Sequence, residues 1–173
     1  MQKNGLKEPG AVHVEMVDKL IFSEKPSARI GLAEDLQISR QYDSLVCERI
    51  IPPIETVELS CPGDHYLEDV GVWVRCLPAK TQSNDPFCFT VEAKGKTYVR
   101  CRRAGDTMRL SGGTKSLKKL FIDRKIPASQ RCGLPVIADE EGVLGVYGIG
   151  ANLERLSIDE NAIEIRFLKK DER

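Results

Sequence analysis

The sequence predicts an α+β fold, mostly antiparallel β with short helices. Two patterns carry that prediction. Alternating apolar and polar runs, separated by Gly- and Pro-bearing turns, recur along most of the chain, and only two segments space their apolar residues at helical intervals. Size agrees: 173 residues, 41% of them hydrophobic, suffice for one ordinary domain or two small ones with a real core.

Residues 10–22 (GAVHVEMVDKLIF) place Val12, Met16, Val17 and Leu20 at helical spacing after Pro9, and Ser23, Lys25 and Pro26 end the run. Residues 28–40 alternate through Ile30, Leu32, Leu36 and Ile38 about a turn near 33–35, which reads as a hairpin. Residues 45–51 give a further strand, stopped by Pro52-Pro53. Strands follow at 56–61, 70–77, 87–92 and 97–102, with turns at Pro62-Gly63-Asp64 and Lys94-Gly95. Val70, Val72, Val74 and Cys76 share one face, with Trp73 on the other. A helix is predicted over 114–125 because Leu117, Leu120 and Phe121 form an i, i+3, i+4 stripe. Ser111 or Thr114 would cap it and Pro127 would stop it. Residues 134–139 and 143–147 form a hairpin about an acidic turn, and 162–167 form the last strand.

Several classes are excluded. No stretch approaches the ~20 apolar residues of a membrane-spanning helix, and the opening MQKNGLKEPG has no apolar core of a secretory signal. The six cysteines (47, 61, 76, 88, 101, 132) include no CxxC pair, so no zinc site is expected, and reduced thiols in a cytoplasmic protein are the reading. His13 lies in an apolar helical stretch and reads as structural, while His65 lies in a turn-like segment and reads as surface. The carboxylate pairs Glu34-Asp35 and Glu140-Glu141 fall in turns, where acids serve solvation. No catalytic constellation emerges.

The charge is informative because it is uneven. The chain carries 26 basic and 26 acidic residues, yet residues 94–131 hold twelve basic residues against Asp106 and Asp123. The segment has a local excess of ten positive charges, and the remainder an equal excess of negative ones. A focused anion site follows, with polyphosphate or nucleic acid as its partner. A lysine-rich helix face is commonly just solvated. Here, however, Arg100, Arg102 and Arg103, the Gly112-Gly113 turn and a helix bearing Lys115, Lys118, Lys119 and Lys125 are consecutive. On a strand Arg100 and Arg102 would share a face.

The run Ser111-Gly112-Gly113-Thr114-Lys115-Ser116 is not an ATP loop. A P-loop needs Gly-Lys adjacent, and Thr114 intervenes. The SGGxDS pyrophosphatase signature needs Asp where Lys115 stands. Two glycines before a helix N-terminus, beside Lys115 and Ser116, would instead seat a phosphate.

Residues 112–148 (GGTKSLKKLFIDRKIPASQRCGLPVIADEEGVLGVYG), preceded by VRCRRAGD at 99–106, resemble the C-terminal domain of bacterial tRNA(Ile)-lysidine synthetases. Residues 26–45 (PSARIGLAEDLQISRQYDSL), with Tyr42, look like the end of that family's middle region. The resemblance implies a division into 1–50, the end of a substrate-binding region; 51–93, a β-rich connecting segment; and 94–173, a tRNA-binding domain. It also implies a fold similar to a domain of the phenylalanyl-tRNA synthetase β subunit.

The family's enzymes are ATP-dependent C–N ligases that join lysine to the wobble cytidine of isoleucine tRNA. Their SGGxDS-bearing ATP domain has no counterpart in this sequence. The expectation is a C-terminal portion that grips the tRNA body and acceptor stem, with no catalytic residue, no metal and no cofactor of its own. ATP and lysine would belong to the full enzyme, and the N-terminal catalytic domain would be a partner. The expected contacts are Arg100, Arg102, Arg103, Gly112, Gly113, Lys115, Ser116, Lys118, Lys119, Arg124, Lys125 and Arg131. Two other readings stand beside this one. Basic and acidic parts could pair between two copies as a homodimer, or the chain could be a small independent enzyme that turns over ATP.

Overall fold

The computed structural model describes residues 10–23, 28–33, 35–41 and 44–172. Tyr42 and Glu34 lie outside the described residues. The chain divides into two compact units, Met1–Pro52 and Pro53–Arg173.

The first unit has one helix, α1 (Ala11–Ile21), and a three-stranded antiparallel sheet, β1 (Arg29–Ala33), β2 (Leu36–Gln41) and β3 (Ser44–Arg49), in that order. Its small core is Leu20, Leu32, Leu36 and Ile38, with Val17 and Cys47 packed against it. The helical stripe is narrower than expected, because Val12 and Met16 are exposed. His13 is structural: Nδ1 accepts from the Gly10 N–H (3.1 Å) and Nε2 donates to the Leu32 carbonyl (3.2 Å).

The second unit is built of two five-stranded antiparallel sheets. Its elements are β4 (Val57–Leu59), β5 (Gly63–Leu67), β6 (Val72–Pro78), β7 (Asn84–Asp85), β8 (Cys88–Glu92), β9 (Thr97–Arg100), β10 (Thr107–Leu110), β11 (Gly113–Ser116), α2 (Leu117–Asp123), β12 (Val136–Ala138), β13 (Val143–Val146), β14 (Gly150–Ala151) and β15 (Ala162–Lys169). One sheet runs β14-β13-β12-β9-β4 and the other β5-β6-β15-β8-β7, while β10 and β11 form a separate hairpin.

Between the two sheets lies the main core: Leu59, Val99, Ile137 and Leu144 meet Val72, Val74, Cys76, Phe89, Val91, Ile165 and Phe167. A second core lies on the other face of the first sheet. There Met108, Leu117, Leu120 and Phe121 pack on Val136, Val143 and Val146. The unit therefore has three layers, and the β10–β11 hairpin with α2 is the outermost. Strands β12 and β13 are buried on both faces, which is why their sequences run apolar without alternation.

The structure corrects several expectations. Residues 51–93 and 94–173 are not separate segments: β4 pairs with β9, and β15 lies between β6 and β8. Pro62-Gly63-Asp64 is not a simple turn, because Gly63 opens β5 against Cys76. His65 therefore sits on a strand, where Nε2 accepts from the Ser60 N–H (3.1 Å). The strand expected at 97–102 stops at Arg100. The helix expected over 114–125 begins at Leu117, because Gly113–Ser116 pairs with β10. All six cysteines are free. Burial pushes the Cys76 thiol far up, and the neighbouring Cys61 thiol adds to the shift, so Cys76 is an inert core residue.

Gly145 faces the main core with no room for a side chain. A Cβ there would lie 2.7 Å from Phe89 Cε2 and 2.9 Å from the Gly150 carbonyl oxygen. Gly145→Ala is expected to cost about 1–3 kcal/mol by overpacking, read as a lower urea midpoint at unchanged slope.

Candidate nucleic-acid interface

The outer layer hangs on one buried ion pair. At the end of β9, Arg100 turns inward and meets Asp106 in a two-pronged contact, Nη1 to Oδ2 at 2.8 Å and Nη2 to Oδ1 at 3.0 Å. Both side chains are more than nine-tenths buried, at 8% and 9% exposure. Arg100 Nη1 also donates to the Cys101 carbonyl (3.0 Å). Asp106 Oδ2 accepts the Arg103 N–H (2.7 Å), and the Asp106 carbonyl accepts the Leu117 N–H (2.9 Å). The pair thus ties the end of β9, the following loop and the start of α2. Arg100 was expected to touch the partner and to share a face with Arg102. Instead β9 ends at Arg100, so no strand face is shared with Arg102, and the Arg100 guanidinium is buried against Asp106.

The glycine doublet is also placed differently. Leu110 pairs with Gly113, so Ser111 and Gly112 are the two-residue loop of the β10–β11 hairpin. Gly113 needs its glycine, having φ of 108°. The whole of β11 separates this turn from α2, so the expected phosphate seat at a helix start does not form. The N-cap is Ser116, whose hydroxyl accepts from the Lys119 N–H (3.3 Å), rather than Ser111 or Thr114.

Lys115 lies on β11 and reaches Asp123 Oδ2 at 2.7 Å. That hydrogen bond chiefly holds the Asp123 carboxyl below its ordinary value, with the charges of Lys115 and Lys119 helping. The pair favours the folded state above the usual carboxylate range, and that contribution is lost as pH falls through the lowered value.

The end of α2 presents cations. Ile126 N–H donates to the Phe121 carbonyl and Lys125 N–H to the Ile122 carbonyl, both at 2.9 Å. This is a Schellman closure, with Lys125 in the left-handed position at φ of 55°. Lys118, Lys119, Arg124 and Lys125 are exposed. Arg131 is half-buried, and its Nε donates to the Ile126 carbonyl (2.9 Å). Arg102 is half-buried beyond β9, and exposed Arg103 reaches Thr56 Oγ1 at 3.3 Å. Arg109, counted in the charge but not chosen as a contact, is exposed on β10 beside Thr114 Oγ1 (3.4 Å).

The twelve basic residues of 94–131 thus sort into two groups. Four are paired with carboxylates of the same unit: Lys94 with Glu141, Lys96 with Glu58, Arg100 with Asp106 and Lys115 with Asp123. Eight make no ion pair among the described residues: Arg102, Arg103, Arg109, Lys118, Lys119, Arg124, Lys125 and Arg131. Five of those eight ride on the β10–β11–α2 layer and the turn that closes it. Among the described residues no group of three or more His, Cys, Asp and Glu is placed to hold a metal.

The TilS substrate C-terminal domain model matches residues 98–166, which include every one of these eight cations. Residues 98–166 belong to the TilS substrate C-terminal domain family. Relatives agree. The tRNA(Ile)-lysidine synthase of Clostridioides difficile (strain 630) is 45% identical over 169 residues, covering 88% of this chain and 36% of that protein. The bifunctional protein TilS/HprT of Listeria innocua is 33% identical over 147 residues, covering 79% of this chain and 23% of that protein. A crystal structure of a TilS C-terminal domain superposes with a TM-score of 0.56 at 27% identity, covering 66% of this chain and 96% of that one. The chain spans about a third or less of the length of the relatives it matches. The TilS match opens inside β9 and closes inside β15, so β4 to β8 complete its two sheets from outside the matched segment.

Removing one partner of the Arg100–Asp106 pair strands a buried charge. Asp106→Ala is expected to cost about 3–5 kcal/mol, whereas Lys118→Ala should stay within about 0.5 kcal/mol of the parent. Chemical denaturation of the two variants checks the contrast, and equal losses would contradict it.

Proposed function

We propose that this chain is the tRNA-gripping part of a tRNA(Ile)-lysidine synthase. In this reading it holds the body and acceptor stem of isoleucine tRNA while ligation of lysine, driven by ATP, proceeds in the catalytic part of the enzyme, in the cytoplasm. The chain contributes no catalytic group and holds no cofactor. The observation that carries the reading is the set of eight cations without carboxylate partners among the described residues, all inside the TilS segment.

The revised contact set is Arg102, Arg103, Arg109, Lys118, Lys119, Arg124, Lys125 and Arg131. Arg guanidinium groups fork onto phosphate oxygens, and lysines act as point charges. A-form RNA hides its major groove, so recognition rests on shape and backbone with limited readout of bases. Gly112 supports a close approach. It sits at the hairpin tip with open space around a would-be Cβ, so no packing within the chain demands a glycine there. Lys115 and Ser116 act from within, bracing and capping α2.

Electrostatic binding has a measurable signature. With about five phosphates neutralised, log K should fall with log salt at a slope of roughly −3.5 to −4.5. A filter-binding titration with isoleucine tRNA tests this, and a flat response contradicts it. Replacing Lys118 and Lys119 by Glu should weaken binding to structured tRNA and leave the melting transition in place.

Lys125 offers a sharper separation. A non-glycine residue in the left-handed position costs about 1 kcal/mol, so Lys125→Gly is expected to stabilise the fold while weakening RNA binding. A variant that gains stability and binds RNA as tightly as the parent would remove Lys125 from the interface.

A further inference from the structure

The end of the first sheet from which the arginine segment leaves also carries Tyr147, and there Tyr147 meets Phe87 and Phe167 of the second sheet. Val136 pairs with Arg100 on one side and with Val146 on the other. The chain leaving β9 through Arg102 and Arg103, the Pro135 entry to β12 and the Tyr147 exit from β13 therefore share one end. The Tyr147 N–H closes onto the Pro135 carbonyl at 3.0 Å. Tyr147 is two strand spacings, about 10 Å, from the end of β9.

Beside Tyr147 the rings form a chain. Phe87 meets it edge-on at 5.2 Å, and Phe167 meets it edge-on at 5.1 Å. These rings, with Leu168 and Lys169, line a cavity of about 230 Å³. Phe87 is 46% exposed, so one side of its ring is open at the cavity mouth. Its exposure is not looseness. Its N–H donates to Asp85 Oδ1 (2.8 Å), its carbonyl accepts the Phe167 N–H (2.8 Å), and the preceding Pro86 carbonyl accepts the Gly148 N–H (3.0 Å). The ring is held out by a clamped backbone.

A half-exposed aromatic wall at the sheet end from which the arginine segment leaves suits one class of ligand. An unpaired nucleobase offers a flat π-face for the ring, and its flanking phosphates offer negative charge for Arg102, Arg103 and Arg131. We infer that the Phe87–Tyr147–Phe167 slot receives one unpaired nucleobase of the bound RNA, stacked on the Phe87 ring. This rests on the RNA-binding reading and adds to it. The outer layer grips paired backbone, and the slot takes a base from a single-stranded stretch next to the stem.

The test uses the 173-residue chain with two RNA probes, a flush-ended hairpin and the same hairpin with a short single-stranded tail carrying 2-aminopurine. The tail is expected to tighten binding about tenfold, the scale of one base stacked on an aromatic side chain. Its 2-aminopurine should be quenched on binding. Phe87→Ala should abolish both effects and leave hairpin affinity and its salt dependence unchanged, while Phe87→Trp should retain both. Tail enhancement and quenching that persist in Phe87→Ala overturn the slot, as does a parent chain that binds the hairpin with no gain from the tail, the result expected if a protein segment fills the cavity. A parent chain that binds neither probe overturns the RNA-binding reading itself.

Discussion

The outer layer exists as a surface because one arginine gives up its charge to the interior. Desolvating Arg100 and Asp106 is costly, and their mutual attraction repays it only with near-ideal geometry. The geometry is of that kind: both guanidinium Nη groups are engaged, and the same carboxylate also receives a backbone N–H. The Asp106 carbonyl then holds the first N–H of α2. Four consecutive tasks meet at this residue: ending β9, shaping the arginine loop, starting the hairpin and seating the helix. Arg102, half-buried, and Arg103, exposed, sit on a loop tied to Arg100 through Asp106.

A second buried pair does similar work on the opposite turn. Asp139 is fully buried and bonds Arg155, while its oxygens also receive the N–H groups of Lys94, Glu141 and Gly142. Both devices use a carboxylate to gather backbone donors at a sheet end, and both keep a cation inside. Of the two cations only Arg100 belongs to residues 94–131, where it adds to the formal charge while sitting buried against a carboxylate. Formal charge therefore overstates the anion-binding capacity of residues 94–131, and the eight cations outside ion pairs are the better measure of it.

This explains what the sequence could and could not disclose. The β12–β13 hairpin was legible as two apolar runs about an acidic turn, and the inner stripe of α2 as Leu117, Leu120 and Phe121. The charge excess was legible as composition. Its division into inward and outward cations was not, because an arginine at a strand end looks the same in either role and only the carboxylate at 106 distinguishes them. The β10–β11 hairpin was missed for a physical reason: its eight residues include one buried side chain, Met108, so no alternation announces it. Missing it moved the glycine doublet from a hairpin tip to a helix start and hid the exposure of Arg109. The β5 strand was masked in the same way by the turn-like Pro62-Gly63-Asp64. Sheet pairing overrode local turn chemistry there.

The layering also separates stability from binding. Met108, Leu117, Leu120 and Phe121 hold the outer layer to Val136, Val143 and Val146, and none of these side chains is exposed. The exposed cations of the same layer contribute little to that packing, since surface charges are well solvated and screened. Substitution of the exposed charges therefore has small effect on folding, provided that Arg100, Asp106 and the Ser116 cap are retained. Lys125 is an exception, where a cation occupies a backbone position that favours glycine. Lys125 is exposed and adjacent in sequence to Arg124, so Lys125→Gly separates the conformational cost of this position from whatever its charge contributes.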